Sequence, residues 1–308
     1  MNILLTGASS FSGFWFAREL AAAGHHVVAP LRGAEGSYAG VRAARIRELA
    51  ECAEIVWSTT FGDPRFLDLI TAETFELLCH HAARVAEYRS PDFDVVAALA
   101  ENTRELPRIL RTACARGLRG LVLTGSVFEA DEGAGDTPLR AFSPYGVSKG
   151  ITAAVVGYWC SILEVPLGKF IISNPFGPFE EPRFCTYLIN TWRAGKAAEV
   201  RTPSYVRDNI HVTLLAKAYA RFAEATFAGP AFRRANPSGY VESQGAFAQR
   251  FAAEVGPRLG LDATVTLLQQ TDFSEPLVRI NTQPINGMNL GWVEAEAWDS
   301  IAAYYRQY

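Results

Sequence analysis

The first thirteen residues, Met1-Asn-Ile-Leu-Leu-Thr-Gly-Ala-Ser-Ser-Phe-Ser-Gly13, decide how the rest of the chain is read. A short apolar run over 3–6 stops at Gly7. A helix-period segment then starts at Gly13, with Phe14, Phe16, Ala17, Leu20 and Ala21 near i, i+3, i+4 and i+7. Strand, glycine turn and helix in this order bring backbone N–H groups and the positive end of a helix dipole to one spot, the arrangement that holds a pyrophosphate. Gly7 supplies the tight turn and Gly13 permits close helix–strand packing. Ser10 stands where a middle glycine is usual, and with Phe11 these are the turn's candidate cofactor contacts. Alone, the pattern also describes an ordinary βα connection, so its surroundings have to decide.

Further short apolar runs lie at 26–29, 54–57, 75–79, 121–123 and 169–172, with helix-period segments at 42–50, 66–72, 93–115 and 145–163 between them. That alternation implies βαβ units with right-handed crossovers. Beyond Asn174 proline and glycine become frequent, and helix candidates at 186–194, 212–225 and 243–255 are separated by irregular runs. The expected fold is α/β. A doubly wound parallel (Rossmann) sheet occupies residues 1–174, and a smaller α/β C-terminal substrate lobe occupies 175–308, some of whose segments return to the sheet.

Composition bounds the function classes. The 308 residues are 49% hydrophobic and 20% charged with a formal net charge of −3, enough apolar residue to fold without staples. Such a balance argues against a nucleic acid or a polybasic membrane partner. The five cysteines form no C-x-x-C and read as free thiols of a reducing, cytoplasmic compartment. No apolar stretch reaches membrane-spanning length, and the N-terminal run lacks the basic flank of a signal peptide. His25 and His26 read as structural, and His80 and His81 lack companions at ligand spacing, so no metal site is expected.

The second run separates the dinucleotides. A site for NAD usually ends its second strand with an acid that accepts from the ribose 2′-OH. Here His26-Val-Val-Ala-Pro-Leu-Arg-Gly33 has none and carries Arg32, which suits a 2′-phosphate. NADP is therefore the preferred cofactor and NAD the alternative; a solvated loop arginine is the plain reading. Further on, Ser143-Pro-Tyr-Gly-Val-Ser-Lys149 sets Tyr145 and Lys149 one turn apart on a helix. An ammonium nearby favours tyrosinate, so such a pair can move protons at neutral pH. It follows a strand ending in Thr124-Gly-Ser126, whose hydroxyl can share a substrate oxygen with Tyr145.

Together these segments resemble an extended short-chain dehydrogenase/reductase of the NAD(P)-dependent nucleotide-sugar epimerase/dehydratase family. The resemblance rests on Thr6–Gly13, Gly62-Asp63, His80-His-Ala-Ala83, Asn102, the Ser126…Tyr145-x-x-x-Lys149 set, Asn174-Pro-Phe-Gly-Pro178 and Arg207-Asp-Asn-Ile-His-Val212. It implies Tyr145 as acid/base, Lys149 on the nicotinamide ribose and lowering the tyrosine's pKa, and Ser126 on the reacting oxygen. It further implies Asp63 on the adenine, Ala82 and Ala83 along the dinucleotide, Asn102 supporting the backbone beside it, and Asn174 and Arg207 on the substrate. A homodimer through the 93–115 and 145–163 helices is implied as well.

Three departures qualify the likeness. The segment after the fifth strand is short, so alignment from the strand makes Ser126 the catalytic hydroxyl, whereas alignment from Val127-Phe128 makes it Thr124, otherwise a substrate contact. Val127-Phe128 replaces the Asp-Glu pair of 4,6-dehydratases, and Glu129 is a poor substitute. Val212 is followed by Thr213-Leu214 in place of an acidic pair. The missing Asp-Glu pair and Arg32 favour a 4-ketoreductase using NADPH. A 4-epimerase with retained NAD is the alternative, and a non-catalytic dinucleotide sensor the third reading. Phe14, Trp15 and Phe16 cannot share one helix face, so one is expected at an oligomer surface or partly exposed. Phe176, Phe179, Phe184, Tyr187 and Trp192 either stack on a base or pack a core.

Overall fold

In the first 126 residues, β1 (Asn2–Thr6), β2 (His26–Pro30), β3 (Glu54–Val56), β4 (Leu77–His80) and β5 (Gly120–Ser126) alternate with α1 (Phe11–Ala22), α2 (Gly40–Leu49), α3 (Pro64–Ala72), α4 (Val95–Asn102) and α5 (Leu106–Ala115). Then come β6 (Ala134–Gly135), α6 (Pro144–Ile162), β7 (Leu167–Ile172), β8 (Asn174–Phe176), α7 (Phe184–Arg193), β9 (Ala198–Val200), β10 (Val206–His211) and α8 (Val212–Phe227). The remainder holds β11 (Phe232–Ala235), β12 (Pro237–Ser238), β13 (Tyr240–Ser243), α9 (Gln244–Leu259), β14 (Val265–Leu267), β15 (Val278–Ile280), β16 (Gln283–Pro284) and α10 (Glu294–Arg306). This computed structural model describes residues 1–135, 139–229 and 231–307.

Seven strands form one parallel sheet in the order β11-β7-β5-β4-β1-β2-β3. Helices cover both faces, so its strands are buried on both sides and read as unbroken apolar runs such as Ile3-Leu4-Leu5 and Leu121-Val122-Leu123. The chain leaves β1 towards β2 and β3, then crosses to β4 on the other side. The strand order reverses between β1 and β4, the place where an open α/β sheet leaves a crevice for a ligand. The doubly wound parallel sheet is thus the observed fold.

Some segments after Asn174 do return to the large sheet. β11 pairs with β7 as the sheet's edge strand, and α8 packs on α1, so both belong with the first half of the chain. Phe16 of α1 and Tyr219 of α8 stack with ring centroids 3.9 Å apart, and Phe170 of β7 meets both edge-on. This packing also corrects the expected exposure in the aromatic triplet: Phe14, Trp15 and Phe16 are all buried. α8 takes Phe16. The segment after β8 takes the other two, with Phe179 against Phe14 at 5.3 Å and the Trp15 indole donating to the Pro178 carbonyl at 3.1 Å.

The helix expected over 93–115 is two helices. Glu105 sits between them at φ 54, and Pro107 starts α5, where a ring without an N–H is tolerated. In the remaining lobe β13, β10, β15 and β6 form a second sheet, with β8 also pairing to β10. Phe176 and Trp192 join Phe247, Phe251 and Trp298 in that lobe's core, so these two are packing residues. Among the described residues no helix is long and apolar enough to cross a membrane, and no group of three or more His, Cys, Asp or Glu is placed to hold a metal.

Candidate active site

A cleft of about 1020 Å³ opens at the switch point, floored by the ends of β1, β4 and β5 and walled by the lobe after β8. Its first element is the turn after β1. Gly7 adopts φ +77, and a Cβ there would come within 2.8 Å of the Ala82 nitrogen; one on Gly13 would sit 2.3 Å from the Gly7 carbonyl. Neither position admits a side chain. Ser10 caps α1, donating to the Gly7 carbonyl at 2.8 Å and accepting from the Gly13 N–H at 3.2 Å. No acid stands in the first turn of α1, and Phe11 and Ser12, whose N–H groups precede the first intrahelical bond, line the cleft. The donor set therefore fits a dinucleotide's pyrophosphate.

Thr6 joins β1 to the end of β4. Its hydroxyl accepts from the His81 and Ala82 N–H groups at 3.1 and 3.0 Å, which sets Ala82 and Ala83 along the wall. Arg32, Tyr38 and Arg42 line the far end beyond β2, where Tyr38 accepts from the Gly33 N–H at 2.7 Å. Asp63 does not reach the cleft. Its two oxygens accept from the Thr60 and Phe66 N–H groups at 2.8 Å each, capping α3, and Thr59, Thr60 and Phe61 line the wall in its place. Asp63 is thus the N-cap of α3, and the same carboxylate fixes the turn that carries these wall residues. Asn102 is buried; its carbonyl oxygen accepts from the Arg84 N–H at 2.9 Å, and its main-chain carbonyl faces His80 at 3.0 Å.

The catalytic candidates meet where α6 packs on β5. Lys149 is buried and its ammonium donates to the Thr124 carbonyl at 2.7 Å; burial pushes it down to about 8, with Glu129 opposing and Lys169 adding to the fall. Tyr145 shares that face of α6, with its ring against Tyr88, Phe93 and Phe128 at 5.6, 5.9 and 6.5 Å. Burial pushes its phenol up, Glu129 and Tyr88 push it further, and Arg183 pulls the other way. Against the lowering that the resemblance implies for this tyrosine, its phenol is raised in the ligand-free chain, with burial as the largest cause.

The two hydroxyls of the strand end are not equivalent. That of Thr124 is 3.0 Å from His81 Nδ1, whereas that of Ser126 accepts from the Phe128 N–H at 3.2 Å and keeps its own proton to give. His81, which the sequence did not single out, lies 3.0 and 3.1 Å from the Ser10 and Ser12 hydroxyls through Nε2. Burial pushes it down to about 3, so it is neutral. Because Ser10 spends its proton on Gly7, Nε2 is the donor there and Nδ1 accepts from Thr124.

On the substrate side Asn174 lines the cleft at the start of β8. Arg207 lines it too, but Nη2 holds Glu275 at 2.8 Å and Nη1 the carbonyls of Val206 and Pro276 at 2.9 and 3.0 Å, with Tyr205 and Phe142 under the guanidinium. Its neighbour Asp208 is elsewhere engaged, accepting from the Gly239 and Asn281 N–H groups. The segment after β8 adds Glu180, Glu181, Arg183 and Phe184, none of them foreseen as a cleft charge or contact except Phe184. Arg45, wholly buried on α2, clamps this segment by an ion pair to Glu181 and a bond to the Phe179 carbonyl at 2.9 Å. One oxygen of Glu180 has no partner, and burial pushes its carboxyl up to about 8 against the pull of Arg183.

The sequence profile of the NAD dependent epimerase/dehydratase family matches residues 3–236. Among solved structures, the chain is similar to the UDP-glucuronic acid 4-epimerase of Bacillus cereus in complex with UDP-glucuronic acid and NAD, with a TM-score of 0.73, 17% identity, and 100% of this chain and 99% of that one covered. It is similar also to the UDP-glucose 4-epimerase of Thermotoga maritima with UDP-glucose (TM-score 0.73, 17% identity, 100% and 99% covered). A third is the UDP-N-acetylglucosamine 4-epimerase of Methanobrevibacter ruminantium in complex with UDP-N-acetylmuramic acid (TM-score 0.73, 14% identity, 99% and 98% covered). Identities this low show the shared fold. No curated protein sequence matches the chain.

Glu180 gives the cleft a pH signature. The folded chain retains a proton there that the unfolded chain releases above its ordinary value of 4.5, so this group's contribution to stability falls as pH rises from that value towards about 8. Buried His80, His81 and His211, all pushed down, act in the opposite sense below about 6.5, so the loss is read as a difference between two proteins. By urea unfolding, the wild type should lose stability relative to Glu180→Gln across this window, by at most about 1.4 kcal/mol per pH unit, and parallel curves for the two proteins would overturn the assignment.

Proposed function

We propose that this chain, which belongs to the NAD dependent epimerase/dehydratase family, transfers hydride between a nicotinamide dinucleotide and a ring carbon of a nucleotide-linked sugar, at C4, as a 4-ketoreductase using NADPH. The observation that carries the reading is one cleft holding both the pyrophosphate turn of α1 and the Ser126, Tyr145 and Lys149 side chains.

The dinucleotide, when bound, supplies the hydride chemistry. The amides at the start of α1 and its dipole hold the pyrophosphate, and Arg32 pairs with a 2′-phosphate beyond β2. Lys149, steadied on the Thr124 carbonyl, presents its remaining N–H bonds to ribose hydroxyls. The Ser126 hydroxyl donates to the keto oxygen. The Tyr145 hydroxyl gives that oxygen its proton, and a phenol whose pKa is raised is in the protonated form that reduction requires. Glu129 is withdrawn from the cleft onto Lys169, so no carboxylate follows Ser126 to drive an elimination. Asn174 and Arg207 would meet the nucleotide-linked sugar, a diphosphate taking the Arg207 edge now on Glu275. Among the second readings, a 4-epimerase that retains NAD draws support from the similar folds, which include NAD-bound 4-epimerases.

A face of α4 and α6 supports a homodimer as a further part of this reading. Val96 is 77% exposed, and Val147, Ile151, Tyr158 and Ile162 form an exposed apolar stripe along α6. Sedimentation should give a dimer for the wild type and a monomer for Tyr158→Glu/Ile162→Glu; a wild-type monomer sinks the proposal.

Two further outcomes test the chemistry. With NADPH and a panel of 4-keto nucleotide sugars, Tyr145→Phe should lose about 10²–10⁴-fold in kcat while still binding NADPH. Unchanged turnover would remove Tyr145 from the mechanism and favour a sensor, and wild-type protein that purifies with tightly held NAD would favour the epimerase. Arg32→Ala should weaken NADPH binding by roughly tenfold or more and NADH binding little, as measured by nucleotide fluorescence. Equal losses for the two nucleotides would refute the 2′-phosphate assignment.

A further inference from the structure

After Thr124-Gly-Ser126 the chain turns back, and Glu129 comes to lie beneath the strand end. Its Oε1 accepts from the Ser126 N–H at 2.8 Å, and its Oε2 takes the Lys169 ammonium of β7 at 2.6 Å. Space for this pair exists because residue 125 is glycine: a Cβ there would stand 3.0 Å from Glu129 Oε1 and 3.0 Å from Lys169 Cε. Glu129 is 1% exposed and lies outside the cleft wall. Lys169 also holds Glu132 at 2.7 Å, Glu132 in turn pairs with Arg234 of β11, and Arg279 of β15 donates to the main-chain carbonyls of Val127 and Glu129.

Closing this turn requires only a hydrogen-bond acceptor, which a neutral amide supplies. Burying a carboxylate costs several kcal/mol more before its partners repay it. The charge itself acts across the strand. Among the groups around Lys149, Glu129 opposes the effect of burial and Lys169 reinforces it; around Tyr145, Glu129 and Tyr88 act with burial and Arg183 against it.

We infer that Glu129 is a positioning residue for the proposed reaction, fixing Ser126 through its main chain and, through its charge, keeping Lys149 an ammonium ion beside Tyr145. The inference rests on the roles proposed for those three residues, but its test does not need turnover. The chain has four lysines, Lys149, Lys169, Lys196 and Lys217. Carbon-labelled lysine side chains therefore give a spectrum simple enough to titrate in ligand-free protein, with Lys149 assigned by Lys149→Met. In Glu129→Gln, which retains an acceptor for Ser126, the Lys149 midpoint should fall by about one pH unit. The alkaline limb of the kcat profile should move the same way with KM little changed, and Glu129→Asp should restore the wild-type midpoint. A folded Glu129→Gln protein with an unmoved Lys149 midpoint overturns the inference. Should that variant not fold, Lys169→Gln must raise the midpoint, and a failure to rise is equally fatal. Lack of turnover with every nucleotide sugar, beside a shifted midpoint, would refute the proposed function and leave the electrostatic role standing.

Discussion

The Lys149 ammonium rests on the Thr124 carbonyl at 2.7 Å, and most of the cleft is arranged around that contact. It ties the second turn of α6 to the end of β5, so the helix carrying Tyr145 cannot shift along the sheet without stranding a buried charge. A bare ammonium in that position would be expensive; a carbonyl dipole and the Glu129 carboxylate behind the strand offset the cost. Thr124 passes the constraint on through its side chain to His81, and His81 passes it to Ser10 and Ser12 at the start of α1. The groups suited to a pyrophosphate and those suited to proton transfer are thereby held in one hydrogen-bonded frame rather than in two independent loops.

The substrate side is built by different means. Two of its charges come already paired: Arg207 with Glu275, Glu181 with the buried Arg45. A chain of net charge −3 can present a cleft for phosphates because local amides and a few guanidinium groups decide the field at short range, while the total sets only long-range behaviour. Exchange of one anion for another at Arg207 changes little in local charge count.

What could be read from the sequence follows from which features are local. Strands buried on both faces are continuous apolar runs, and a glycine at φ +77 before a helix leaves a visible mark at Gly7, so the sheet and the pyrophosphate turn were legible. Tyr145 and Lys149 share a face because helix geometry requires it. How deeply a phenol is buried is a tertiary matter, and burial is what raises Tyr145 where the resemblance implied a lowered value. The break at Glu105 was hidden by apolar periodicity that runs through it on both sides. Asp63 carried a legible local signal: an acid directly before proline is an N-cap followed by a first-turn residue. His81 gains meaning only when β1, β4 and β5 are set side by side.

The path of the chain after Asn174 has a bearing on how such proteins can be recombined. The polypeptide leaves the large sheet, contributes β8 and α7 to the lobe, returns as α8 and β11, and departs again. α1 is buried against α8 on one side and the 176–179 segment on the other, leaving it no face of its own. The unit built around the large sheet is therefore not a contiguous module. Exchange of substrate lobes between relatives at a single crossover near residue 174 would separate α1 from the helix that covers it. A viable chimaera has to carry 212–235 with the N-terminal half and splice the lobe as two insertions.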